Sequence, residues 1–140
     1  MQNNIYVYCD GGARGNPGPA ASAFVIYDQN HKLIHEEGVF IGNATNNQAE
    51  YQAVINALNW LSVNNLNSGV VFYLDSLLVV SQLKRLYKVK NIILMQKFQE
   101  ISYILDKAIY KITDYVFVPR RQNSRADFLV NQALDNKLLS

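Results

Sequence analysis

The apolar residues of this chain change period once, near residue 46, and that change restricts the folds open to it. Upstream, "NIYVYCD" alternates, "AASAFVIYD" follows a turn rich in Gly and Pro, and "KLIHEEGVFIG" follows the hairpin signal "DQNH". Alternation with turn residues between the runs predicts three antiparallel strands. Downstream, Ala53, Val54, Ala57, Leu58 and Leu61 recur at helical spacing from residue 46 to about 63, with "NNLNSG" as the stop. "VVFYL" reads as a strand buried on both faces, and "SLLVVSQLKRLY" and "IILMQKFQEISYILDKAI" as helices. "DYVFVPR" is a last strand ended by Pro119, and "SRADFLVNQALDNKLL" a closing helix with Ser124 as its N-cap. The order β-β-β-α-β-α-α-β-α predicts an α/β fold: a five-stranded mixed sheet, three antiparallel strands and then two parallel ones, flanked by helices.

With no repeat, no linker and 140 residues, the expectation is a single domain over 1–140. At 49% hydrophobic and 17% charged residues the composition is that of a globular chain. The formal charge of +2 is too small to argue for a polyanion partner by itself, so such a role must rest on where the basic residues sit. One cysteine, Cys9, excludes an internal disulfide and a cysteine-based zinc cluster, and reads as a small buried hydrophobe. "MQNNIYV" has no signal-peptide pattern, and the longest apolar run contains Asp75; a soluble cytoplasmic protein acting as a monomer, away from membranes, is expected.

Four acids stand where apolar residues belong. Asp10 ends the first strand pattern, and four glycines and two prolines follow it within nine residues. Asp75 ends "VVFYL". Glu50 opens the helical stripe Glu50, Val54, Ala57, Leu61, and Asp127 opens the stripe Asp127, Val130, Leu134, Leu138. Each acid has another use when taken singly: Glu50 and Asp127 suit the positive ends of their helix dipoles, and Asp75 would cap the next helix. Together, at strand ends and at the starts of buried helix faces, they would face one crevice. Carboxylates so placed repel one another, and divalent cations relieve that repulsion; an all-oxygen ligand set suits Mg²⁺ or Mn²⁺. Two such ions form the known arrangement for in-line displacement at a phosphodiester.

The chain resembles type 1 ribonuclease H over nearly its whole length. The resemblance rests on "YCDGGARGNPGPA" (D-G-[GS]-x-x-x-N-P-G), "ATNNQAEYQAVINAL" (T-N-N-x-x-E), "LDSLLVVSQL" (D-S-x-x-V) and "NSRADFLVNQAL" (N-x-x-[AC]-D-x-L), in that order, one acid in each. It implies the ribonuclease-H-like fold and endonucleolytic cleavage of the RNA strand of RNA–DNA hybrids, leaving 5′-phosphate and 3′-hydroxyl ends. By matching position, Asp10 would bridge two metal ions, Asp127 would help hold the ion serving the attacking water, and Glu50 and Asp75 the ion serving the leaving 3′-oxygen. Main-chain atoms around Gly11 and Gly12, with Asn16 and Asn47, match positions that read the 2′-hydroxyl. Asn46 matches one reaching the minor groove, and Thr45 one near a DNA phosphate. The resemblance also implies that glycines after Asp10 let the backbone approach a nucleic-acid strand.

Three departures from the pattern qualify this. "VPRRQNSRAD" has no histidine, and Arg120, with Arg121 as the alternative, is the candidate to face the scissile phosphate. His31 and His35 flank a hairpin and read as surface residues. Leu77 stands where an amide often contacts the hybrid, which keeps double-stranded RNA open as a further substrate. In place of a long basic insertion there is only "KRLYKVKN", as in the family's short form; Lys88 and Lys90, with Tyr87 between them and Lys84, suit phosphate contacts or a solvated helix end, and hybrid binding is expected to be salt-sensitive. The competing reading from another class is a catalytically weak nucleic-acid-binding module.

Overall fold

A computed structural model describes residues 4–139; the first three residues of the start read as leaderless, and Ser140, lie outside the described residues. The elements are β1 (Asn4–Ala13), β2 (Gly18–Tyr27), β3 (Leu33–Ala44), α1 (Asn46–Val63), β4 (Gly69–Leu74), α2 (Leu77–Leu83), α3 (Ile92–Lys107), β5 (Lys111–Phe117) and α4 (Ser124–Leu139), with a 3₁₀ turn at Arg120–Asn123. The strands form one sheet in the order β3-β2-β1-β4-β5. β1 pairs antiparallel with β2 and parallel with β4; β2–β3 is antiparallel and β4–β5 parallel. This is the mixed five-stranded sheet that the order of periods predicts.

Among the described residues two main cores form, one on each face, with a small cluster of Ala20, Ala44 and Ala49 where α1 meets β2 and β3. On one, Val7, Cys9, Phe24, Ile26, Val70, Phe72 and Leu74 pack against α1, α2 and α3. On the other, Ala21, Ala23 and Val25 of β2 meet Ala126, Leu129, Val130 and Leu134 of α4. β2 is therefore the strand covered on both sides. "VVFYL" is buried except at Tyr73, whose ring stacks on Tyr8 with centroids 4.6 Å apart beyond the reach of α4.

Four local expectations are corrected. β1 does not end at Asp10: its parallel pairing stops at Tyr8↔Tyr73, but antiparallel pairing with β2 carries it on to Ala13↔Ala20. α2 stops at Leu83 rather than continuing to Tyr87, because Arg85 adopts φ +63° and the amide of Leu86 returns to the carbonyl of Ser81. Ser124 is no N-cap, since its own φ and ψ (−66°, −34°) are helical and the 3₁₀ turn feeds straight into α4. Leu138, placed on the buried stripe, is 70% exposed, because it borders an open apolar cavity with Pro19, Phe40 and Leu134 rather than filling it.

Candidate active site

The first carboxylate is set by the sheet. Asp10 lies two residues past the last parallel pair of β1, so it emerges where β4 no longer covers the strand, yet it remains buried. Asp75 follows β4 directly, and Ser76 rather than Asp75 caps α2, accepting from the amide of Val79.

The second is brought by α1, held in three ways. Thr45 and Gln48 form a capping box: the Thr45 hydroxyl accepts from the Gln48 amide at 3.1 Å, and the Gln48 carboxamide from the Thr45 amide at 3.0 Å. Ser22 Oγ donates to the carbonyl of Ala49 at 2.7 Å. Gly11 lies directly under the helix backbone, where a Cβ would clash with the carbonyl group of Ala49 and the amide of Glu50. The amide of Gly11 also donates to Glu50 Oε1 at 2.9 Å. Glycine at 11 is thus required by the docked helix. At Gly12 a Cβ would meet only Val130 Cγ1, at 3.7 Å.

Asp10, Glu50 and Asp75 each present a carboxylate oxygen, all within 4.8 Å of one another. Asp127 lines the same cleft of about 410 Å³, together with Gly11, Gly12, Arg14, Asn46, Asn47, Ser76 and Arg120. Its carboxylate turns to Arg120 Nη2, 3.3 Å away. Arg121 does not line the cleft. The loop 14–17 is tied to α1: Asn16 Oδ1 accepts from the amide of Asn46 at 2.9 Å, and Asn46 Oδ1 accepts from the amide of Ala13 at 2.8 Å. Lys88 and Lys90 border a separate cavity between α2 and α3, with Arg85, Tyr87 and Phe98. His31 stacks on Tyr6 and His35 on Trp60, and neither lines the cleft.

Burial makes the cluster reluctant to ionise. Desolvation, with the charges of Asp75 and Asp127 nearby, pushes Asp10 up to about 7 against the help of neighbouring hydrogen bonds. Glu50 is raised well above the usual carboxylate range, first by burial and then by Asp10. Asp75 is raised by burial too, and is partly relieved by Asn123 and Arg120. Glu50 Oε2 is buried without a hydrogen-bond partner. A buried acceptor with no donor, beside two further carboxylates, is what a hard divalent cation would satisfy, so the residues present fit such an ion.

Two contributors were not legible as functional. Asn123, part of the "NSRAD" motif but given no role, is buried; its Nδ2 donates to the carbonyl of Cys9 at 2.7 Å and reaches Asp75 Oδ2 at 3.4 Å. Arg14, inside the Gly-rich stretch, points into the cleft wall, where sequence alone suggests only a solvated turn.

A mixed five-stranded sheet that collects acids from β1, α1, the end of β4 and α4 into one cleft defines a ribonuclease-H-like fold. The family described as "Reverse transcriptase-like" matches residues 8–133. A bifunctional protein of Mycobacterium tuberculosis is 35% identical over 132 residues, 94% of this chain and 35% of that protein. Ribonuclease HI of Halobacterium salinarum is 37% identical over 132 residues, 94% of this chain and 65% of that one. The chain thus spans less than two thirds of the length of either relative. LC11-RNase H1, isolated from compost by a metagenomic approach and solved in complex with an RNA/DNA hybrid, superposes with a TM-score of 0.92 at 42% identity, covering 96% of this chain and 99% of that one. The chain belongs to the type 1 ribonuclease H family. Among the described residues, no helix is long and apolar enough to cross a membrane.

Proposed function

We propose that this ribonuclease H domain, taken as residues 1–140 and acting as a monomer, cleaves the RNA strand of RNA–DNA hybrids endonucleolytically, leaving 5′-phosphate and 3′-hydroxyl ends. The observation that carries this reading is the convergence of Asp10, Glu50 and Asp75 within 4.8 Å beside an unpartnered buried oxygen of Glu50. Support comes also from the hybrid bound to LC11-RNase H1.

Asp10, Glu50, Asp75 and Asp127 would hold two divalent cations, Mg²⁺ or Mn²⁺. Bound there, such ions make water a nucleophile at neutral pH and stabilise charge on the leaving oxygen. The chain's own residues do the rest. Asn123 fixes Asp75 against the end of β1. Gly11 fixes Glu50 through its amide. Arg120 brings a permanent positive charge to the cleft, suited to a phosphate and unable to act as a base. Main-chain atoms around Gly11 and Gly12, with Asn16, Thr45, Asn46 and Asn47, would meet the sugar edge and backbone of a bound strand, a reading supported by the cleft lining of Gly11, Gly12, Asn46 and Asn47.

The test is one gel: end-labelled RNA–DNA hybrid, RNA duplex and DNA duplex, each with Mg²⁺, Mn²⁺ or chelator, against the protein and its Asp75→Asn variant. Metal-dependent nicking of the hybrid's RNA strand, lost in the variant, is expected. Absence of nicking by folded wild-type protein under either metal would sink the nuclease reading in favour of a binding module. Cleavage of the RNA duplex would widen the substrate range.

A further inference from the structure

The geometry points to Arg14 as the residue that binds a backbone phosphate flanking the one that reacts, with Asp135 holding its guanidinium until substrate arrives. The inference rests on the hybrid-cleaving reading above and adds a contact to it.

A polyanion entering a cleft lined by four carboxylates meets repulsion unless cations stand along its path. Two arginines line that cleft, Arg14 and Arg120. Both are held by acids on one face of α4, where Asp127, Asn131 and Asp135 follow at four-residue intervals. Arg120 Nη2 meets Asp127 Oδ1 at 3.3 Å. Arg14 Nη2 meets Asp135 Oδ1 at 2.7 Å and Asn131 Oδ1 at 3.4 Å, while Asn131 Nδ2 donates to the carbonyl of Asp127 at 3.0 Å. Eight residues of helix separate the two acids by about 12 Å along the axis. A strand lying in the cleft therefore offers different phosphates to the two arginines.

Arg14 is also set in place before any substrate binds. Its amide donates to the carbonyl of Pro19 at 2.8 Å, closing the β1–β2 turn. Its side chain borders both the carboxylate cleft and an adjoining cavity whose wall includes Phe40 and Lys137, so the positive charge continues outward from the acids. The side chains of the Arg14–Asp135 pair are 39% and 62% exposed. Pairs this open to water hold weakly, whereas a guanidinium grips a phosphate through two parallel donors. Exchange of Asp135 for a phosphate is thus favourable, and Asp135 is a competitor.

The alternative is that the pair only fastens the turn to α4. The two roles predict opposite effects for the two partners. Hybrid cleavage is measured for wild type, Arg14→Gln, Arg14→Lys and Asp135→Asn at fixed Mg²⁺ over a series of salt concentrations, with melting curves for each. A phosphate contact requires that Arg14→Gln raise KM about tenfold with kcat within about twofold, and flatten the salt dependence by about one phosphate. Arg14→Lys should restore the salt slope with an intermediate KM, and Asp135→Asn should lower KM by about twofold to threefold. A rise in KM for Arg14→Gln and Asp135→Asn alike, tracking a lower melting temperature, would overturn the proposal, as would unchanged KM and salt slope in Arg14→Gln. Should Arg14→Gln fail to fold, Arg14→Lys and Asp135→Asn decide it by the same directions. Failure of the wild type to cleave hybrid at all would instead strike the function reading, on which this one stands.

Discussion

Asn123 joins Asp75 to the strand that carries Asp10: one amide nitrogen donates to the Cys9 carbonyl at 2.7 Å and reaches the Asp75 carboxylate at 3.4 Å. Replacing it by alanine leaves a buried carbonyl without its donor and Asp75 without its support. Loss of such a buried partner costs about 1–3 kcal/mol of stability. The Asn123→Ala variant should also need more Mg²⁺ for half-maximal cleavage and lose at least about tenfold in kcat, as outer ligands of metal sites do. A Mg²⁺ titration of activity at a temperature where the variant stays folded checks this; an unchanged midpoint would reduce Asn123 to a structural residue.

The two glycines after Asp10 should behave differently. Gly11→Ala drives a Cβ into the backbone of α1 at Ala49 and Glu50, so the helix must shift and take the Glu50 carboxylate with it. Overpacking of this kind costs about 1–3 kcal/mol, and cleavage should fall with it. Gly12→Ala finds ordinary contact with Val130 and should melt within about 0.5 kcal/mol of wild type. Equal destabilisation of the two variants in thermal melts would contradict the docking described for Gly11.

The acids make stability depend on pH in an unusual direction. An unfolded aspartate titrates near 4, whereas folding pushes Asp10 up to about 7 and raises Glu50 and Asp75 as well. The folded state thus binds protons more tightly, so the benefit is full below about pH 4 and is lost as pH rises through 7. In chelator, the melting temperature should fall between pH 5 and pH 8, by an amount on the order of a few kcal/mol in stability. Saturating Mg²⁺ should flatten the slope. Asp10→Asn should flatten it without metal, melt higher than wild type at pH 8 and abolish cleavage. A metal-free melting temperature that rises across this range would refute the account.

Arg120 and Arg121 are neighbours with unequal prospects. Only Arg120 lines the cleft. Arg120→Ala should lower kcat for hybrid by about tenfold and leave the shape of the pH–rate profile intact, because a guanidinium supplies charge and moves no proton. Arg121→Ala should stay within about twofold of wild type. Steady-state rates for the pair, measured from pH 6 to pH 9, separate the two.

The acids could be found in the sequence because each violates a local rule. Asp10 interrupts an alternating strand, Asp75 closes an apolar one, and Glu50 and Asp127 open apolar stripes. The order of strands and helices was legible for the same reason, since period and turn chemistry are local properties. Arg14 and Asn123 break no such rule, and their roles depend on which distant residues lie opposite: Asp135 for one, Cys9 and Asp75 for the other. The early stop of α2 was hidden too, because only the left-handed backbone of Arg85 marks it and arginine is no signal for that conformation.

The second core joins Ala21, Ala23 and Val25 of β2 to Ala126, Leu129, Val130 and Leu134 of α4, with Tyr8, Tyr27 and Phe40 packed at its edge. The more extensive cluster, with Phe24, Tyr51 and Phe72 wholly or almost wholly buried, packs on the other side of the sheet. α4 docks on its own face of the sheet, apart from α1, α2 and α3, so it can loosen without them, and Asp127 travels with it. On warming, amide exchange along α4 should accelerate while β1 and α1 stay protected, and turnover should fade before the circular-dichroism signal of the whole chain. Catalysis in this fold is only as durable as the docking of one helix on the far face of the sheet.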